Sequence, residues 1–266
     1  MLNKFVFYFK LNKIVFFELE REISQSLGVS IRLKGFHLRR SSHDKNYLIF
    51  SSGKIIAIAR VNKEILLRKK FPKYFNDNNL DFINREFLRF QREYEKYKKA
   101  SEFALAPKPL YLEEGALVCE YIDAPDALSL IKKDKESLWK IFERVLIALS
   151  KLHKIGVIHR DASLYNTLIC SDGRTVFIDM ERGELPGMYT FQEYIVFDYL
   201  HLLDTSLKFF SSKELRFNRY FEIIKNNTGQ NLNLGRLDNP EFIERYFPRI
   251  KRIDTDLKTI KSILKE

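Results

Sequence analysis

Val157-Ile158-His159-Arg160-Asp161-Ala162-Ser163-Leu164-Tyr165-Asn166-Thr167-Leu168-Ile169, followed by Val176-Phe177-Ile178-Asp179, is the stretch that decides the fold. An aspartate is followed five residues later by an asparagine and eighteen residues later by a second aspartate, which ends a short apolar run. Phosphoryl transfer needs a carboxylate to orient the acceptor hydroxyl and receive its proton, while Mg²⁺ bridging the phosphates needs hard oxygen ligands. Asp161 suits the first task; Asn166 and Asp179 suit the second. Strand-like runs on either side would hold these oxygens rigidly, and charge stabilisation by preorganised groups is usually the largest catalytic contribution. Taken singly, each aspartate is an ordinary turn carboxylate or helix cap. The joint spacing is what points to chemistry.

Around this stretch lies a chain of 266 residues, enough for one large domain or two lobes. Only 10 Gly and 7 Pro accompany 45% hydrophobic residues, which excludes collagen-like, low-complexity and disordered classes. The formal charge of +11 favours a polyanionic partner, whether nucleic acid, an anionic lipid surface or a phosphorylated ligand. Cys119 and Cys170 sit inside apolar runs, away from disulfide or metal-ligand spacing, and read as small buried hydrophobes in a reducing compartment. Between Met1 and Phe17 the sequence is rich in Phe and Val but broken by Lys4, Lys10 and Lys13. It lacks the ~20 uninterrupted apolar residues of a spanning helix and the small-residue cleavage site of a signal peptide. It is expected to be a first strand or helix packed on the core, with a membrane-surface stretch as the alternative.

Periodicity orders the rest. Runs at Ile31 to Leu33, Tyr47 to Phe50, Ile55 to Val61 and Ile65 to Leu67, separated by Ser51-Ser52-Gly53 and Asn62-Lys63, predict an antiparallel sheet. From Leu80 to Ala100, Phe82, Phe87, Phe90, Tyr94 and Tyr97 recur at helical spacing. Pro107 and Pro109 precede two more strand-like runs, Leu110 to Leu112 and Ala116 to Ile122. Leu138, Ile141, Phe142, Val145, Leu146, Leu149 and Leu152 predict an amphipathic helix leading into the Asp161 loop. Beyond Tyr194 the pattern is mainly helical; Arg245, Arg249, Lys251 and Arg252 there are expected to face water, with a grip on an anionic acceptor as the alternative. The layout is a β-rich region followed by an α-rich one.

His159-Arg160-Asp161 with Asn166 resembles the H-R-D-x-x-x-x-N catalytic loop of the protein-kinase-like fold, and Asp179 stands where the Asp of D-F-G would. The resemblance implies an α+β, bilobal fold: an N-terminal lobe over residues 1–120, holding a sheet and one long helix, and a helical C-terminal lobe over 121–266. It implies ATP and Mg²⁺ as cofactors, with His159, Arg160 and Asp161 catalytic and Asn166 and Asp179 on the metal. Glu93 takes the place of the helix Glu that pairs with a strand lysine on the α and β phosphates. That lysine is sought at the end of Ile65-Leu66-Leu67, where Arg68, Lys69 and Lys70 are all available; Lys69 is preferred, since strand alternation lets only one of Arg68 and Lys69 face inward. Glu120-Tyr121-Ile122 resembles the hinge, with Glu120 and Ile122 meeting adenine through their backbone. No G-x-G-x-x-G precedes the strands, so the phosphate-covering loop is assigned to Leu33 to His43, with Ser41 and Ser42. D-F-G is replaced by Asp179-Met180-Glu181, which keeps the metal ligand and loses the glycine.

Asp198, in Phe197-Asp198-Tyr199-Leu200, resembles the Asp that starts the central helix of the second lobe and ties back to the catalytic loop. It follows Asp179 by only nineteen residues, too few for a long activation loop and an A-P-E platform. Ile178-Asp179-Met180-Glu181-Arg182-Gly183 resembles the I-D-F-D-R-G segment of the lipopolysaccharide core kinases, which include Kdo and heptose kinases of Gram-negative bacteria. That resemblance implies phosphorylation of an inner-core sugar hydroxyl on an anionic, lipid-linked acceptor. The protein would then be cytoplasmic and peripheral on the inner membrane, with nucleic acid not the expected partner. The alternative is a small atypical Ser/Thr protein kinase of the type associated with the KEOPS tRNA-modification complex. A pseudokinase scaffold is a third reading, against which stand the intact Asp161, Asn166 and Asp179.

Overall fold

Asn62 is the residue at which the first half of the chain turns from strand to helix. The computed structural model describes residues 2–36, 44–72, 80–184, 188, 190–228 and 240–252. The chain divides into two compact units, residues 1–98 with 107–122 and residues 99–106 with 123–266. The expected division at 120 and 121 differs mainly by the segment 99–106. This segment belongs to the second unit, where the Leu105 carbonyl accepts a hydrogen bond from the Phe177 N–H at 2.8 Å. Of the loop expected to cover phosphates, residues 37–43, with Ser41 and Ser42, lie outside the described residues.

The first unit holds a five-stranded antiparallel sheet of β1 (Arg32–Phe36), β2 (Asp44–Ser51), β3 (Lys54–Asn62), β4 (Pro109–Glu113) and β5 (Ala116–Glu120), in the order β1-β2-β3-β5-β4. Ser52 and Gly53, at φ +49° and +79°, make the two-residue connection between β2 and β3; turns of this kind match the twist of the flanking strands. Alternate residues of β3, Ala57, Ala59 and Val61, are fully buried, with Ile49 of β2 and Val118 of β5 in the same core. Val15, Leu19 and Ile23 of α1 (Leu2–Leu27) join that core. Their spacing of four places them on one helix face, and burying each contributes about 1.5–3 kcal/mol. The N-terminal segment is therefore a helix packed on the sheet. Among the described residues no helix is long and apolar enough to cross a membrane.

Ile65, Leu66 and Leu67 do not form a strand. They lie in α2 (Lys63–Lys70), and all three are buried. Three consecutive apolar residues carry no periodicity, so the run alone does not separate strand from helix. The flanks decide it. The Asn62 side chain accepts from the Ile65 N–H at 3.3 Å as an N-cap. Glu64 in the first turn and Arg68, Lys69 and Lys70 in the last complement the helix dipole. Lys70 Nζ is held by Glu18 and Glu22 of α1 at 2.9 and 3.0 Å. Gly115, at φ +89°, accepts from the Asn62 N–H at 2.8 Å, and a Cβ there would come within 3.2 Å of both the Asn62 carbonyl and the Ile65 side chain.

Helix α3 (Leu80–Ser101) buries Phe90, Glu93, Tyr97 and Ala100, spaced at three and four residues. The second unit is helical around one hairpin: α4 (Ala127–Lys133), α5 (Leu138–Lys154), β6 (Thr167–Ile169), β7 (Thr175–Phe177), α6 (Phe191–Ser206), α7 (Ser212–Leu215), α8 (Phe217–Thr228), α9 (Pro240–Tyr246) and α10 (Pro248–Arg252). The seven apolar positions expected on α5 are all buried. Arg249 does not simply face water: its Nη1 lies 2.9 Å from Asp204, whose carboxylate also accepts the Arg249 and Ile250 N–H groups at 2.8 and 3.0 Å.

Replacing Asn62 by Ala removes a cap and strands the Ile65 N–H in a dry environment, so stability is expected to fall by about 1–2 kcal/mol. Urea denaturation followed by circular dichroism checks it, and an unchanged midpoint would refute the capping role.

Candidate active site

The site in the second unit begins where α5 stops. Gly156, at φ +71°, donates its N–H to the His153 carbonyl at 2.8 Å, and Val157 donates to Leu152 at 3.1 Å. These two bonds form a Schellman C-cap, which needs a left-handed residue at the glycine position. The chain is thereby turned sharply into the Asp161 loop.

What fixes the loop is a carboxylate from α6. Asp198 is fully buried and accepts the N–H groups of His159 and Arg160 at 2.8 and 2.7 Å, with His153 Nε2 at 3.0 Å. Burial alone would raise its pKa, but His153, His159 and the donated N–H bonds hold it below the usual aspartate range. Arg160 has φ +74° and Asp179 φ +66°. Each left-handed non-glycine costs about 1 kcal/mol or more and persists only where its surroundings impose it. At Arg160 those surroundings are Asp198 behind its N–H and Tyr194 under its guanidinium, 4.6 Å from the ring centre. His159 is buried edge-on to Phe177, and its Nδ1 accepts the Asp161 N–H at 3.2 Å. The side chains of His159 and Arg160 thus shape the loop from inside, and of the three expected catalytic residues only Asp161 presents its carboxylate partly to solvent, at 21% exposure.

Asp161 Oδ1 lies 2.9 Å from His201 Nε2 and Oδ2 lies 3.3 Å from Arg182 Nε. Burial pushes its pKa up; His201 and Arg182 more than offset this and hold it below the ordinary value. Asn166 donates its Nδ2 to the Asp161 carbonyl at 3.0 Å and accepts the Ile178 N–H at 2.9 Å. In the β6–β7 hairpin Thr167 faces Phe177, so Asn166 and Ile178 close its open end and Asp179 follows directly. The hairpin thus carries both expected metal ligands at one end.

In the first unit, the cation on Glu93 is Arg60 of β3, at 2.9 Å. Glu93 is only 1% exposed, and with burial it pushes the neighbouring Tyr97 hydroxyl's pKa well up. The assignment of that cation to Lys69 or Arg68 is corrected: both stand on α2. Lys69 pairs with Glu113 and Glu114 at 3.0 and 3.6 Å, and Arg68 with Glu64 one turn back at 2.8 Å. Lys70 belongs to Glu18 and Glu22, as above. The missed signal was a charge inside an otherwise apolar strand, Ala57-Ile58-Ala59-Arg60-Val61. Glu120 ends β5; its N–H donates to the Lys108 carbonyl at 2.8 Å and its carboxylate accepts the Lys108 N–H at 3.2 Å. Ile122 is half-buried at the end of the first unit.

A model of the RIO domain matches residues 59–182, a span that contains Arg60, Glu93, Asp161, Asn166, Asp179 and Arg182 and stops before α6. No curated protein matches. Among solved structures, the Rio2 kinase of Chaetomium thermophilum, in an ADP/Mg²⁺–phosphoaspartate complex, is similar with a TM-score of 0.51 and 14% identity. The match covers 94% of this chain and 75% of that one. The chain has a protein-kinase-like fold, and the RIO-domain match indicates a phosphotransferase.

Replacing Asp198 by Asn is expected to lower stability by about 2–3 kcal/mol at pH 7, because a charged acceptor of several buried donors is lost. The folded-state pKa of Asp198 lies below its unfolded value, so the unfolded chain takes up the proton first on acidification. The contribution of Asp198 is complete above the unfolded pKa of about 3.9 and is lost as pH falls through the lower folded value. Urea midpoints from pH 7 to pH 3 should show parent and variant converging below about pH 4; a gap that does not depend on pH would contradict the assignment.

Proposed function

We propose that this protein is a small ATP- and Mg²⁺-dependent atypical kinase that phosphorylates a hydroxyl group of a protein. The observation that carries the reading is the Asp161 loop, with a partly exposed carboxylate, Asn166 pinned to its backbone and Asp179 at the same hairpin end. The RIO-domain match over residues 59–182 supports a kinase of the atypical protein-directed kind. The nineteen-residue interval from Asp179 to Asp198 suits a small kinase without a long phosphorylated activation loop, whether its acceptor is a sugar or a protein. The lipopolysaccharide acceptor and membrane attachment expected from Asp179-Met180-Glu181-Arg182-Gly183 have no support in these comparisons, and the protein-directed alternative replaces them.

In this mechanism Asp161 orients the acceptor hydroxyl and takes its proton as the hydroxyl oxygen bonds to the γ-phosphorus. The bond from that phosphorus to the β–γ bridging oxygen breaks, and ADP leaves with the electron pair. Arg60, paired with Glu93 at 2.9 Å, would hold the α and β phosphates. An arginine here differs from a lysine in offering a planar fork that never deprotonates. With the Glu120 N–H given to the Lys108 carbonyl, the remaining backbone groups of Glu120 and Ile122 would meet the adenine. The donor set fits Mg²⁺. The Asn166 amide spends its nitrogen on the Asp161 carbonyl, which leaves its oxygen, with the Asp179 carboxylate, as hard ligands. Mg²⁺ takes one or two carboxylates together with water and substrate phosphates rather than a dedicated protein cage. When bound, Mg²⁺ neutralises charge on the β and γ phosphates.

Asp161→Ala is expected to lower turnover by about 10²–10⁴-fold with MgATP affinity nearly unchanged, since a positioning base acts mostly in the transition state. Steady-state transfer from γ-labelled ATP, read with calorimetric titration of nucleotide, separates the two effects. Asp179→Ala should instead abolish the Mg²⁺-dependent part of nucleotide binding in the same titration. Labelled phosphate found only on carbohydrate, and never on Ser or Thr of a protein acceptor, would overturn the protein-directed reading.

A further inference from the structure

His201 lies outside the span of the RIO-domain match, yet it makes the shortest side-chain contact to Asp161. Its Nε2 is 2.9 Å from Asp161 Oδ1. The ring is fixed from below. Phe197, one helical turn earlier on α6, stacks nearly parallel to it, 5.6 Å between centres at 10°, and Phe197 is itself wedged against Tyr246 and Phe247 at 5.9 and 5.2 Å. Nδ1 of His201 is buried and has no hydrogen-bond partner among the described residues.

We propose that His201 is a positioning residue for Asp161: it donates Nε2–H to Oδ1, fixes the carboxylate plane, and so reserves Oδ2 for the acceptor hydroxyl. The inference rests on the kinase reading of Asp161 and deepens it. With Oδ1 occupied by an N–H, the hydroxyl proton passes to Oδ2 as the oxygen–phosphorus bond forms and the bond to ADP breaks. Arg182 sits at 3.3 Å on that same oxygen and is 57% exposed. It shifts away to admit the hydroxyl, whereas His201, stacked and largely buried, stays.

The test compares His201→Leu, His201→Gln and His201→Asn in the full chain, with MgATP as phosphoryl donor, dephosphorylated casein as acceptor and ADP release as readout. A Gln amide nitrogen reaches the place of Nε2; that of Asn, one carbon shorter, does not. The Leu and Asn variants should lose about 10- to 100-fold in kcat, the scale seen for partners that orient a reacting group, with KM for ATP within about twofold. The Gln variant should return to within about threefold of the parent. Equal kcat for Gln and Asn, or a Leu variant as active as the parent, would overturn the positioning role while leaving the kinase reading intact. An Asp161→Ala variant as active as the parent would overturn the kinase reading itself. Should Leu fail to fold, the Gln and Asn pair decides. Imidazole ¹⁵N spectra of the parent give an independent readout: a proton on Nε2 supports the proposal, and a ring protonated on Nδ1 alone contradicts it.

Discussion

Everything in the candidate site depends on one buried carboxylate. Asp198 receives two consecutive backbone N–H groups, from His159 and Arg160, and faces His153 at the end of the helix that feeds the loop. Two adjacent amides can converge on one carboxylate only if the chain bends between them, and Arg160 supplies the bend by adopting a left-handed conformation. The strain of that bend is small beside charge-assisted bonds worth about 1.5–3 kcal/mol each. The bend carries the next residue, Asp161, away from the core and toward His201 and Arg182. A single side chain on α6 thus converts an apolar helix end into a loop with one partly exposed acid.

The first unit follows the same principle with opposite charge. Glu93 is too buried to be left alone, and its partner Arg60 comes from a strand whose opposite face is filled by Ala57, Ala59 and Val61. The small alanines let the core pack close on that side, while alternation along β3 sends the guanidinium to the other. Such a pair is poor evidence for stability, because desolvation cancels much of the attraction.

Much of this was legible in the residues. The spacing of Asp161, Asn166 and Asp179 and the amphipathic α5 were read from the residues themselves, because each rests on a local pattern or a fixed interval; the places of Asp198 and Glu93 came from the resemblance to the protein-kinase-like fold. The partner of Glu93 was not. It depended on where a strand ended, and the apolar run Ile65-Leu66-Leu67 has no period of its own; the stop lies in the Asn62 cap and the Gly115 carbonyl that meets Asn62, a contact between residues more than fifty positions apart. His201 was invisible for a related reason. Nothing in Tyr199-Leu200-His201-Leu202 marks it, and only the packing of α6 against the loop gives it meaning. His159 and Arg160 were placed beside Asp161 by the resemblance of the loop, and a motif does not say which of its side chains face inward.

The central claim is that Asn166 and Asp179 hold a divalent cation on a nucleotide while Asp161 stands beside it. Paramagnetic broadening of backbone amide signals by Mn²⁺–ADP tests this most directly. Selective loss of the Asn166, Ile178, Asp179 and Met180 signals, reversed by excess Mg²⁺, is the predicted result. Sharp signals for those four residues in a nucleotide-saturated sample, with broadening elsewhere in the chain, would contradict it.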